Sequence, residues 1–205
     1  MQTEQLKIFD DDRNPIGVAT REEVHRFGYW HETFHCWFTH KEEGTDYIYL
    51  QLRSQTKRDY PNLLDITAAG HLLADETVQD GVREIKEEVG IDVSFEELLP
   101  LGIIDYCVIT DDFIDKELAH SFLYKSEKSF EDFTLQDEVA GIVRVEFNHF
   151  VELWFGERES VKIRGFEMGK NGDKIFFENY VGRDQFVPHE INFYKTVIGK
   201  IKERI

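Results

Sequence analysis

A chain of 205 residues, with 41% hydrophobic and 32% charged side chains, is long enough to bury a substantial core and too apolar to stay disordered. Its net charge of −17 argues against broad binding to nucleic-acid backbones or anionic membranes, since both need a positive field. Cys36 and Cys107 form neither a disulfide framework nor a paired zinc motif, and no run reaches the ~18 apolar residues of a membrane span. The stretch Met1 to Asp12 is polar and holds no apolar signal region, so a cytoplasmic location is expected.

In chain order, Leu6 to Phe9 reads as a short strand, followed by an acidic turn from Asp10 to Gly17. Thr20 with Glu23 is a capping box that opens a helix. Phe34 to Phe38 and Tyr47 to Leu52 read as paired strands joined across Lys41-Glu42-Glu43-Gly44. Leu63 to Ala69 then leads through Gly70 into a helix that enters at Thr77 and Asp80 and stops at Gly90. Strands are predicted over Pro100 to Val108, His120 to Tyr124 and Ile142 to Phe147, with a short helix at 149–155. Val161 to Met168 and Lys174 to Glu178 flank Lys170-Asn171-Gly172-Asp173, a hairpin signal. Ile191, Tyr194, Ile198 and Ile201 mark a closing amphipathic helix at about 189–204.

The central helix carries the chemistry. At about 100° per residue, Val78, Val82, Ile85 and Val89 share a sector roughly 60° wide, while Glu84, Glu87 and Glu88 share another, centred roughly 140° away. Three carboxylates within one turn repel one another and offer hard oxygen ligands to Mg²⁺ or Mn²⁺. A glutamate-rich helix is more often a solvated face, with its acids paired to neighbours such as Arg83 and Lys86, so the cluster alone is weak evidence.

The order of the residues is specific. Arg83-Glu84-Ile85-Lys86-Glu87-Glu88-Val89-Gly90-Ile91 resembles the second half of the Nudix box at every specified position, and Gly70 and Glu76 stand in its first half. Six residues rather than seven separate Glu76 from Arg83, so the acid bracing Arg83 is Glu76 or Asp75. The resemblance implies a single α/β domain, a Nudix α/β/α sandwich with a mixed sheet. Its core would span about 6–155, with an added hairpin at about 160–180 and the closing helix. It further implies Glu87 and Glu88 as principal metal ligands together with the Gly70 carbonyl, Glu84 as a further ligand or general base, and Arg83 as the group that orients the glutamates.

The likeness extends beyond the box. Ile16 to Arg21, Val24-His25-Arg26, Trp30-His31, Leu50 to Ser54, Lys57, Tyr60-Pro61 and Asp65 to His71 resemble the branch related to isopentenyl diphosphate isomerase. That isomerase uses a cysteine where this chain has Ala69, which argues against isomerase chemistry. Its histidines help bind a metal, yet His25, His31 and His71 are read here as ordinary polar residues because their spacing is imperfect. Glu117, in Asp115-Lys116-Glu117, is the candidate extra acid; Gln136-Asp137-Glu138 is a second acidic candidate. Arg53 is the candidate phosphate contact, weighed against a structural ion pair. Phe34, Trp37 and Tyr106 are weighed as base-stacking residues against core packing, which is the usual role of such rings.

The expected function is Mg²⁺- or Mn²⁺-dependent hydrolysis of a small-molecule diphosphate, such as a nucleoside diphosphate derivative. An isomerase and a non-catalytic Nudix-fold binding module are the alternatives; retention of all three glutamates argues against the latter. No nucleic-acid polymer or membrane partner is expected, and a homodimer is left open.

Overall fold

The computed structural model describes residues 4–109 and 113–205. The chain begins with β1 (Gln5–Phe9) and β2 (Pro15–Thr20), so the acidic turn ends at Asn14 and Pro15 to Gly17 belong to the second strand. Helix α1 (Arg21–Phe27) opens on the predicted capping box, with Thr20 Oγ1 accepting the Glu23 N–H and Glu23 reaching back to the Thr20 N–H. Next come β3 (Trp30–Glu42), β4 (Thr45–Arg53), the short β5 (Leu64–Asp65) and β6 (Ala68–His71), and helix α2 (Arg83–Val89). The chain continues with β7 (Leu99–Ile109), β8 (Ile114–Lys125), β9 (Val139–Glu146), α3 (Phe147–Phe155), β10 (Val161–Met168), β11 (Lys174–Val181) and α4 (Ile191–Lys202).

The central helix is shorter than its periodicity predicts. The Thr77 N–H and hydroxyl both donate to Asp80 Oδ2, at 2.8 and 2.6 Å. The amides of Asp80, Gly81 and Val82 each bond three residues back, giving a 3₁₀ turn before α-helical bonding starts at Arg83. Val78 and Val82 still pack on the core, so the apolar spacing is honoured by a tighter turn.

Strand β3 organises the sheet. One edge runs parallel to β8 from Trp30 to Thr39. The other edge meets β1 at Trp30 and His31, β6 from Thr33 to Cys36, and β4 from Phe38 to Glu42, all antiparallel. Strand β4 continues to β9, β10 and β11, so the C-terminal hairpin extends this same mixed sheet.

Side chains alternate across the sheet and split the core in two. On one side, Phe34, Cys36, Phe38 and Ile142 meet Ile85 and Val89 of α2. On the other, Trp37, Leu50, Leu123 and Val143 meet α3 and α4. That is an α/β/α arrangement. Phe34 and Trp37 are fully buried in these layers and are packing residues, not base-stacking ones. In α4 the buried face is Phe193, Tyr194, Val197, Ile198 and Ile201, whereas Ile191 is exposed at the first turn. Among the described residues, no helix is long and apolar enough to cross a membrane.

Candidate active site

Strand alternation assembles one wall of a cavity of about 1100 Å³. His31, Thr33 and His35 point to one face of β3, and the neighbouring strands add side chains in register. Glu117 of β8 lies opposite His31, with Asp115 two residues before it on the same face. His71 and Ala69 of β6 lie opposite Thr33 and His35, and Tyr106 of β7 lies opposite Glu117. Tyr106 therefore lines the cavity, unlike Phe34 and Trp37.

The glutamates reach this cavity from α2. Arg83 spans them: Nε and Nη2 grip Glu76 at 2.5 and 2.9 Å, while Nη1 donates to Glu84 at 2.5 Å and Glu87 at 2.9 Å. Glu76 therefore braces the arginine rather than Asp75. The shortened loop closes because Glu76 also accepts the Leu73 N–H at 2.8 Å. Gly70 has no side chain because a Cβ there would coincide with the Glu84 carboxylate. Glu88 is buried and accepts Gln51 Nε2 at 3.0 Å and the Ala69 N–H at 2.9 Å, both on Oε2. Burial pushes the Glu84 carboxyl up to about 7 and that of Glu88 up to about 8. Such crowded, desolvated acids fit a cation, which would offset both the burial and the mutual repulsion.

A second group stands beside the first. One ligand atom from each of His25, His31 and His71 falls within 4.8 Å of the others, and His31, Asp115 and Glu117 satisfy the same limit. The Nδ1–H groups of His25 and His31 donate to the Arg21 and Tyr29 carbonyls, at 2.7 and 3.2 Å. Each Nε2 faces Asp115 Oδ1, at 3.5 and 3.6 Å. His31 Nε2 and Asp115 Oδ1 are buried without a hydrogen bond. Burial holds His31 down to about 4 and keeps it neutral, as a metal ligand must be. A borderline divalent ion fits this donor set. His31, Thr33 and His35, and likewise Asp115 and Glu117, recur at every second residue, which on strands places each set on one face; His25 on α1 and His71 on β6 join them only through the fold.

All the sequence-predicted site residues, Gly70, Arg83, Glu84, Glu87, Glu88, Glu117 and Arg53, line this single cavity, as do Gln136, Asp137 and Glu138. Glu117 accepts Thr33 Oγ1 at 3.2 Å and faces His35 Nε2 at 3.1 Å. Arg53 is paired with Asp65 at 2.8 Å and donates twice to the Asp59 carbonyl, so it stands in the structural ion pair weighed above. His35, Asp65, Asp115 and His189 line the cavity but were not singled out from the sequence.

No protein-family model matches the chain. An uncharacterized Nudix hydrolase of Clostridium acetobutylicum is 38% identical over 204 residues, covering 99% of each chain. Isopentenyl-diphosphate Delta-isomerase 2 of Photorhabdus laumondii is 28% identical over 126 residues, covering 61% of this chain and 68% of that protein. In fold, a MutT/nudix family protein from Enterococcus faecalis superposes with a TM-score of 0.53 at 14% identity, over 84% of this chain and 61% of that one. A full-length relative at this identity, together with the α2 glutamates and their arginine brace, places the chain in the Nudix hydrolase family, as an enzyme acting on pyrophosphate bonds.

Proposed function

We propose that the enzyme hydrolyses a diphosphate linkage in a nucleoside diphosphate derivative or a similar organic diphosphate, with Mg²⁺ or Mn²⁺ held by Glu84, Glu87 and Glu88 beside Gly70. The observation that carries this reading is the convergence of those three carboxylates on a cavity that also presents Arg21 and Lys57. Oxygen ligands suit the metal, and guanidinium and ammonium groups suit phosphate oxygens. The bound ion would neutralise phosphate charge and lower the pKa of an attacking water. Arg83 holds Glu84 and Glu87 in place. Glu84 is the carboxylate that would serve either as a further ligand or as the base that takes a proton from the attacking water. His25, His31, His71 and Asp115 are the residues that would hold a further divalent ion, with Glu117 next to them.

Isomerase chemistry finds less support. Ala69 offers no titratable group, and Cys36 is fully buried, with burial raising its thiol far above the usual range. The test is a panel of diphosphates that includes ADP-ribose, nucleotide sugars and isopentenyl diphosphate. It is read by phosphate or monophosphate release and, for the last compound, by formation of the allylic isomer. Metal-dependent hydrolysis of at least one compound is expected, without isomer. Undiminished turnover after exhaustive chelation, or robust isomer formation, overturns the reading.

A further inference from the structure

The cavity is lined in part by a segment far from the Nudix box. Between β11 and α4 the chain runs beside β5: the Val187 N–H donates to Leu64 O at 2.9 Å, and Phe186 forms a bridge with Leu64. Tyr194 Oη, from α4, donates to Val187 O at 2.9 Å and pins the segment from behind. Val187 and His189 thereby reach the cavity wall.

His189 ends in a buried polar relay. Its Nε2 lies 2.9 Å from Asp65 Oδ1, and both side chains are under a tenth exposed. The same Oδ1 accepts the Ile66 N–H at 2.8 Å, while Oδ2 accepts Arg53 Nη1 at 2.8 Å. Burial acts to raise the Asp65 carboxyl, but the His189 bond and the Arg53 charge outweigh it and hold the group ionised. An ionised Asp65 accepts, so Nε2 is the protonated nitrogen of His189.

Arg53 passes the restraint on. Its Nε and Nη2 donate to Asp59 O at 3.2 and 2.8 Å. Asp59 sits in the loop after β4, whose Lys57, Asp59 and Tyr60 all line the cavity. Tyr60 and Asn62 adopt left-handed backbone, with φ of 51° and 62°, a conformation that needs an outside restraint in residues with a Cβ. Backbone bonds from Lys57 to Ser54 and from Asn62 to Arg53 hold the loop's ends, and Ser54 and Lys57 are tied separately to Glu138, so Arg53 is what restrains the stretch around Asp59 and Tyr60.

We infer that His189 is a positioning residue of the substrate cavity: by donating to Asp65 it fixes Arg53, and through Arg53 the part of the loop that carries Asp59 and Tyr60. A buried carboxylate that loses one donor must rearrange toward its others or take up water, and either response moves Arg53. The C-terminal segment therefore takes part in binding the phosphate-bearing substrate, an inference that rests on the hydrolase reading for its kinetic consequence. The competing role is ring packing, because the imidazole also contacts Tyr106, Phe193 and Tyr194 at centroid distances of 5.0, 5.1 and 5.4 Å.

Two substitutions separate these roles. His189→Gln keeps an amide donor in reach of Asp65 and loses the ring; His189→Phe keeps a ring and loses the donor. Amide hydrogen exchange of the whole protein is the first readout. In His189→Phe, exchange at 54–63 is expected to quicken by about tenfold or more while α2 is unchanged, and His189→Gln is expected to match wild type. The second readout is steady-state kinetics on the compound of the panel that wild type turns over fastest. There His189→Phe should raise KM by about tenfold and leave kcat within about twofold, again with rescue in His189→Gln. Should His189→Phe fail to fold, His189→Asn, whose amide falls short of Asp65, takes its place in the same comparison. Wild-type exchange and KM without the donor, or equal losses in the donor-keeping variant, overturn the inference. Absence of turnover by wild type sinks the hydrolase reading alone, and the exchange comparison still decides the positioning role.

Discussion

Glu88 shows how much one residue's role depends on its surroundings. On the helical wheel it belongs to a charged face, yet it is buried and bonded to Gln51 and Ala69. Its carboxyl is raised from 4.5 to about 8 by burial, so in metal-free protein the folded state binds that proton more tightly than the unfolded chain does. The resulting stabilisation is complete below about pH 4.5 and is lost as pH rises through about 8; Glu84, raised to about 7, acts in the same direction. Glu88→Gln mimics the neutral acid. It should cut kcat by at least ~10²-fold, on the scale of lost transition-state charge stabilisation. In metal-free protein it should also flatten the fall in thermal midpoint between pH 5 and pH 9. Lys86→Gln, whose partner Asp92 is also exposed, is the control and should stay near wild type in both. Equal rates for the two variants would remove the glutamate face from the active site.

Helix α2 is held at its end as firmly as at its face. Gly90 has φ 71°, and a Cβ there would collide with the Thr134 carbonyl. Thr134 and Gln136 donate back to Val89 O and Glu88 O at 3.0 and 3.2 Å, which ties the helix terminus to the loop beneath it. Gly90→Ala should therefore cost about 2 kcal/mol through left-handed strain and the clash, measured by urea unfolding. Activity should fall as well, because Glu87 and Glu88 lie within three residues of the displaced backbone. A midpoint indistinguishable from wild type would show that the terminus relaxes freely. The other end of the same helix was misjudged from the pattern: Thr77, Asp80 and the apolar spacing all suit an α-helix. A hydrophobic period of 3.6 barely differs from one of 3.0 over a single turn, so the apolar spacing could not tell the two forms apart.

Across the whole molecule, α4 shares one core with the central sheet rather than resting on it. Ile198 is almost completely buried in the cluster that holds Trp37, Leu50 and Val143. Ile198→Ala should cost about 2–5 kcal/mol, the range for truncating a buried aliphatic side chain. Urea unfolding followed by tryptophan fluorescence should remain a single transition, because Trp37 and Trp154 sit in that same cluster. Separate loss of the C-terminal helix before the sheet would contradict this.

The glutamate spacing, the Arg83 brace and the glycine stop were all legible because they are local: each rests on neighbours within a few turns of chain. So was the capping box at Thr20, which needs only three residues to form. The chain order alone also puts an alanine rather than a cysteine at position 69, whereas only the fold sets Cys36 opposite Ala68 and buries its thiol. Tertiary structure decided the rest. The histidine and aspartate group joins α1, β3, β6 and β8, and Asp65 meets His189 across 124 positions of sequence. Such meetings are set by which strand lies beside which, and strand order follows from burial summed over the whole chain rather than from the preferences of the residues that come together.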